Sequence, residues 1–203
     1  MTAEAAMKRR DLFRLGARKA AGIASRAAAR KVAKQAENWI RPPFAAAELD
    51  FLLACTRCDK CIEACPHDVL FKLPPRWGIK AAGTPAMDLR VRGCHLCDDW
   101  PCVAACEPDA LKLPGGDEKT PPPLKLALVT IDTKTCLPYL GPECGACADS
   151  CPVPGALEWR GPKPVINQDV CTGCALCREA CIADPKAIGV AALIAEGETA
   201  AAE

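Results

Sequence analysis

The chain has 203 residues, half of them hydrophobic by type, with a formal net charge of +1. That length suits one domain or two small ones, and no nucleic-acid partner is expected. Only nine residues are aromatic (four Trp, four Phe, one Tyr) while sixteen are cysteine, which excludes a large aromatic core.

The charge is unevenly placed. Residues 1–41 hold eleven Lys/Arg against three Asp/Glu, and residues 42–203 hold fifteen against twenty-two. A basic arm on an acidic body implies two kinds of partner surface. From residue 8 to residue 40 the arm lacks proline and is rich in alanine, and Arg10, Arg14, Arg18, Arg26, Arg30 and Lys34 keep a four-residue rhythm. The pattern predicts one or two basic helices, with Leu12, Leu15, Ile23 and Trp39 as scattered apolar contacts. Such a helix is either a solvated face, a membrane-surface contact or a docking arm. Arg9-Arg10-Asp11-Leu12-Phe13-Arg14 resembles a twin-arginine export motif. A cleaved signal needs an apolar stretch of roughly 7–15 residues, but the longest uncharged run between Arg14 and Arg26 is Ala20–Ser25. The arginines therefore read as an uncleaved remnant or docking element. The expected location is cytoplasmic, at the inner face of the membrane, with periplasmic twin-arginine export as the alternative. No segment approaches the roughly 18 apolar residues of a membrane span.

Pro42-Pro43 ends the arm and opens the body, residues 42–193. Cys55, Cys58, Cys61 and Cys65 come first, spaced C-x2-C-x2-C-x3-C, with Pro66 next. A strand is predicted at Val69–Leu73, then a loop at Pro74–Pro85. Cys94, Cys97, Cys102 and Cys106 follow as C-x2-C-x4-C-x3-C. The segment Pro114–Pro123, with Gly115-Gly116 and three successive prolines, is turn chemistry rather than a phosphate loop. A strand at Leu126–Ile131 leads to Cys136, Cys144, Cys147 and Cys151, spaced C-x7-C-x2-C-x3-C and followed by Pro152. Strands at Ala156–Trp159 and Pro164–Ile166 lead to Cys171, Cys174, Cys177 and Cys181, which repeat the first spacing. A last strand is predicted at Ala187–Leu193, and 194–203 is a flexible tail. Strand, cysteine loop, short helix and strand recur about four times. The expected class is therefore α+β, two bacterial 2[4Fe–4S] ferredoxin-like units.

The C-x2-C-x2-C-x3-C-P run is the bacterial ferredoxin signature, and each [4Fe–4S] cubane takes four thiolates. The sixteen cysteines thus match four clusters with none left over. A zinc site wants two separated C-x2-C pairs, for which the third cysteine of each quartet is surplus. A disulfide framework suits secreted chains and does not explain four copies of a cluster motif. With so few aromatic residues, the clusters must supply much of the interior, and the iron-free chain should be largely unfolded. No nucleophile triad or dinucleotide fingerprint appears, so the chain is expected to carry electrons and not to turn over a substrate.

Residues 39–65 resemble the segment entering the first quartet of the NapF family, ferredoxin-type accessory proteins of periplasmic nitrate reductase systems. Cys136-Leu-Pro-Tyr-Leu-Gly-Pro-Glu-Cys144-Gly-Ala-Cys147 and Asp169-Val-Cys171-Thr-Gly-Cys174 are similar to that family's third and fourth quartets. The four-residue gap between Cys97 and Cys102 is instead similar to NapG/MauM ferredoxins and to iron–sulfur subunits of molybdenum oxidoreductases. The resemblance implies a redox partner, a molybdoenzyme or a membrane quinol-linked oxidoreductase. It also allows an accessory factor that docks its partner before export, or an integral subunit of an oxidoreductase complex.

The fourth cysteine of a run ligates the other cluster of its pair, and the spacing leaves open which quartets pair. The four-cluster subunits that the chain resembles nest their pairs. On that analogy Cys55, Cys58 and Cys61 share a cluster with Cys181, and Cys171, Cys174 and Cys177 share one with Cys65. Cys94, Cys97 and Cys102 then go with Cys151, and Cys136, Cys144 and Cys147 with Cys106. The outer unit would comprise 48–73 plus 164–193, and the inner unit 86–160. Sequential pairing, first with second and third with fourth, is the alternative, although the regular spacing of the outer quartets mildly favours nesting. His67 and His95, beside quartet cysteines, are expected to hydrogen-bond near sulfur rather than to bind iron. Trp77, Trp100 and Trp159 are expected to pack against loops.

Overall fold

Short elements are what the cysteine spacing permits, because each loop must close and turn away within a few residues. The computed structural model describes residues 36, 39–114 and 124–193. The rest of the basic arm, the Gly115-Gly116 turn and the 194–203 tail lie outside the described residues.

Helix α1, Glu48–Ala54, carries Glu48 and Asp50 in its first turn, where carboxylates suit the helix dipole, and buries Phe51 completely. It ends at Cys55, whose backbone is extended. Helices α2 (Lys60–Glu63), α3 (Pro101–Ala104), α4 (Leu137–Leu140) and α5 (Leu176–Ala180) are four or five residues long. Pro101 and Pro138 stand in the first turn, where a missing N–H costs nothing.

Six short strands make three antiparallel pairs among the described residues. β1 (Leu70–Lys72) pairs with β2 (Pro85–Met87), with Leu70 opposite Met87. β3 (Ala127–Ile131) pairs with β6 (Ile188–Ala192), with Val129 opposite Val190. β4 (Leu157–Arg160) and β5 (Lys163–Ile166) form a hairpin. In β3 the alternation is strict at first, Ala127 and Val129 inward, Leu128 and Thr130 outward.

Five predicted strands coincide with β1, β3, β4, β5 and β6 to within a residue or two. β2 was not expected: it begins where the expected loop ends, and Pro-Ala-Met is fully buried and shows no alternation. The residues between β1 and β2 form a tight connection, closed by Leu73 N donating to Thr84 O (2.9 Å) and Gly83 N to Leu73 O (2.8 Å). Arg57 reaches across to Ala82 O (3.0 Å) and Lys80 O (2.8 Å).

The expected nesting of units is corrected by these ladders. β1, assigned to the outer unit, pairs with β2 at the edge of the inner one. β3, assigned to the inner unit, pairs with β6 of the outer one. The hydrogen bonds instead join consecutive stretches, one carrying quartets one and two and the other quartets three and four. The physical reason is local: β3 and β6 bracket the last two quartets, while α2 packs on α3 and holds the first two together.

One apolar cluster spans both stretches, joining Phe51, Val69, Leu89, Val103 and Leu111 to Leu126, Ala127 and Ala175. At its edge Arg41 is nearly buried against Glu48, with Nη2 2.5 Å from Oε1 and Nε 2.8 Å from Oε2. Arg41 also donates to Thr84 Oγ1 (2.8 Å) and Pro85 O (2.7 Å) and lies over the Phe51 ring at 4.5 Å. Each guanidinium nitrogen and each carboxylate oxygen thus has a partner, as a buried ion pair requires.

Candidate cluster sites

Four apolar cavities are each lined by four cysteines. Cys55, Cys58 and Cys61 line the first together with Cys106. Cys94, Cys97 and Cys102 line the second together with Cys65. Cys136, Cys144 and Cys147 line the third together with Cys181. Cys171, Cys174 and Cys177 line the fourth together with Cys151. Every quartet thus places three cysteines in one cavity and its last in the neighbouring one. The exchange is between first and second, and between third and fourth. The nested grouping expected above, with Cys181 beside Cys55 and Cys151 beside Cys94, is therefore corrected to the sequential one. The last cysteine lies at or just past a short helix or 3-10 turn, where the chain turns away; Cys181 at the end of α5 is already extended.

The loops close by adopting left-handed backbone at residues that are not glycine. Arg57, Asp59, Leu96, Trp100 and Ala175 all have φ between 44° and 67°. Each such residue costs roughly 1–2 kcal/mol, so the surrounding structure must impose the shape. Where a left-handed residue adjoins a right-handed one, the successive N–H groups turn into a concavity that favours negative charge. Gly173 is required on separate grounds: at φ 78° a Cβ would fall onto the backbone O and N of Ala127 in β3. Leu126 N donates to Thr172 O at 2.7 Å, fixing that close approach.

The thiols are costly to ionise in this apolar setting. Burial above all, then the charges of Cys106, Cys55 and Cys58, push Cys61 up to about 11. Burial followed by Cys94, Cys65 and Cys61 pushes Cys102 up to about 12. Burial followed by Cys174, Cys171 and Cys147 does the same to Cys177, to about 12. Cys58, which is exposed, is instead lowered, chiefly by the Lys60 backbone N–H. Four thiolates facing one another in an apolar cavity need a positive centre between them.

The donor sets fit an iron–sulfur cube better than a lone ion. Among the described residues no group of three or more His, Cys, Asp or Glu converges where one metal ion would sit. The thiols instead surround a volume. Among those residues three buried side-chain polar atoms lack a hydrogen-bond partner: Trp39 Nε1, Trp159 Nε1 and Thr172 Oγ1. Trp159 lines the third cavity and Thr172 the fourth. The Thr172 hydroxyl already faces the Cys174 thiol, and donors so placed beside the thiols suit the sulfurs of a bound cluster. Sequence reasoning missed Thr172, because a hydroxyl beside Cys171 gives no pattern to read.

His67 and His95 both line the second cavity and stack on each other, ring centroids 3.6 Å apart and 8° from parallel. Burial first, then His67, lowers the His95 pKa. Trp100 also lines this cavity and meets Phe44 edge-on at 4.9 Å. Trp77 packs beside Trp39, Leu73 and Ala86.

The family of 4Fe-4S dicluster domains matches residues 128–182, the stretch that runs from β3 to the last cysteine of the fourth quartet. With short helices, two-stranded ladders and cysteine-walled cavities, this defines a ferredoxin-type iron–sulfur electron-transfer protein. The chain is 34% identical to the methylamine utilization ferredoxin-type protein MauM of Methylorubrum extorquens, over 90% of this chain and 88% of that one. It is 32% identical to the ferredoxin-type protein NapG of Escherichia coli, over 94% and 88% respectively. Identity to the ferredoxin-type protein NapF of Escherichia coli is 33%, over 73% and 83%. The chain belongs to the MauM/NapG/NapF family of ferredoxin-type proteins. No solved structure matches it.

Proposed function

We propose that the protein binds four [4Fe–4S] clusters and relays single electrons between a donor and a respiratory oxidoreductase. The observation that carries this reading is the set of four cavities, each walled by four cysteines drawn from two quartets. All sixteen cysteines are ligands in it. The first cavity uses Cys55, Cys58, Cys61 and Cys106, and the second Cys94, Cys97, Cys102 and Cys65. The third uses Cys136, Cys144, Cys147 and Cys181, and the fourth Cys171, Cys174, Cys177 and Cys151. The bound groups supply one-electron redox chemistry. The thiolates hold them, the apolar walls exclude water, and Trp159 and Thr172 offer donors to sulfur. The chain itself turns over no substrate. Its partner is a molybdoenzyme or a quinol-linked oxidoreductase, a reading that the resemblance of the quartets supports.

Purified holoprotein should carry about sixteen iron and sixteen sulfide per chain and cycle reversibly under dithionite and air. About eight iron, or irreversible loss of iron to an acceptor protein, would refute the relay reading. For location we propose the cytoplasmic side of the membrane, with the basic arm uncleaved and touching its surface. The support is the run of charges from Arg14 to Lys31; no described helix is long and apolar enough to cross a membrane. Fractionation of the full chain tests this, and a shortened form in the periplasm overturns it.

A further inference from the structure

The two consecutive units meet where the loop of quartet two lies on that of quartet four. Cys94 N donates to Cys174 O at 2.8 Å. Beside it, Gly93 N donates to Glu179 Oε2 at 2.7 Å, and Arg178 Nε to Arg90 O at 2.9 Å. The approach is close enough to require glycine, since a Cβ at Gly93 would stand 2.8 Å from Leu176 N. The Cys94 thiol lines the second cavity and the Cys174 thiol the fourth. Within the units, the first cavity adjoins the second across α2 and α3, and the third adjoins the fourth across α5 and the Ala148–Ser150 turn.

We propose that the four sites form one ordered relay, first, second, fourth, third, in which electrons cross between the units at the Cys94–Cys174 contact. The order in space thus differs from the order in sequence, and the first and third cavities are the ends that exchange electrons with partners. This rests on the four-cluster reading above. Each step moves one electron, so the site that loses it is oxidised and its neighbour is reduced. The entering electron comes from an external one-electron reductant, and the departing one goes to an oxidised partner protein.

The test uses full-length holoprotein reduced with dithionite and reads spin–spin coupling between sites by electron paramagnetic resonance. Signals are assigned with Cys58→Ser, Cys97→Ser, Cys144→Ser and Cys171→Ser, one for each cavity. Coupling is expected for the first–second, second–fourth and fourth–third pairs. Loss of the second site through Cys97→Ser should leave the fourth–third coupling intact. Stronger coupling between second and third than between second and fourth overturns the order. Gly93→Ala should keep the full iron content while weakening only the second–fourth coupling. If that variant loses iron, Glu179→Ala loosens the same contact and carries the same expectation. Second–fourth coupling unchanged when the contact is loosened refutes the crossing point. Wild-type protein with fewer than about sixteen iron refutes the four-cluster reading instead, a separate result.

Discussion

Replacing Cys106 by serine separates the two ways in which the quartets can pair. Cys106 belongs by sequence to the second quartet, but it lines the first cavity with Cys55, Cys58 and Cys61, and its Sγ accepts the Leu111 N–H at 3.3 Å. Loss of one of four thiolates should empty that cavity, lowering iron from about sixteen to about twelve per chain. Double variants carry the decisive arithmetic, because two lesions in one site do not add. Cys61→Ser with Cys106→Ser strikes the first cavity twice and should still leave about twelve iron. Cys147→Ser with Cys106→Ser strikes two cavities and should leave about eight. Nested pairing reverses these outcomes, giving about eight for the first combination and about twelve for the second. The assay is iron and sulfide determination on purified protein, with electron paramagnetic resonance to identify the missing signal. Obtaining the reversed pair of values would refute the sequential geometry.

Three further expectations follow from particular contacts. Gly173→Ala should destabilise the holoprotein by about 3 kcal/mol or more, because backbone strain of roughly 1–2 kcal/mol is joined by collision with β3. Gly161→Ala, at φ 62° in open space, should show the strain alone, and equal melting temperatures for the two variants would contradict the argument. Trp159→Phe should lower the potential of one cluster by on the order of 40 mV, equivalent to losing about 1 kcal/mol of hydrogen bonding to the more negative reduced state. A redox titration that finds all potentials unmoved removes Trp159 from that role. Chelating the iron should abolish cooperative unfolding, since the cavity walls have little else to pack against. An iron-free form that melts in a sharp transition would show that the protein core suffices.

The cysteine spacing made the chemistry legible without a structure. It fixes local geometry, because three thiols two or three residues apart must share one loop. Five of the six strands were also readable, since β-branched and apolar runs flank each loop at regular intervals. β2 was not, because Pro85, Ala86 and Met87 are buried on all sides and carry no period. Helix α1 was likewise passed over, its seven residues showing little more than Phe51 on an inner face.

The sequence by itself determined the cysteines and the number of quartets, because those depend on residue type and on chain connectivity over a few positions. Tertiary structure alone decided which cavity each fourth cysteine enters. That choice depends on the direction of the chain beyond each short helix and on which strands meet, and spacing within a quartet encodes neither. The symmetry of the spacing pointed to nesting, whereas the β1–β2 and β3–β6 ladders join neighbours in sequence. The contact between Cys94 and Cys174, 80 positions apart along the chain, was equally beyond local reading. It arises because Gly93 lets one loop lie on another, a packing fact that becomes visible only when both loops are in place.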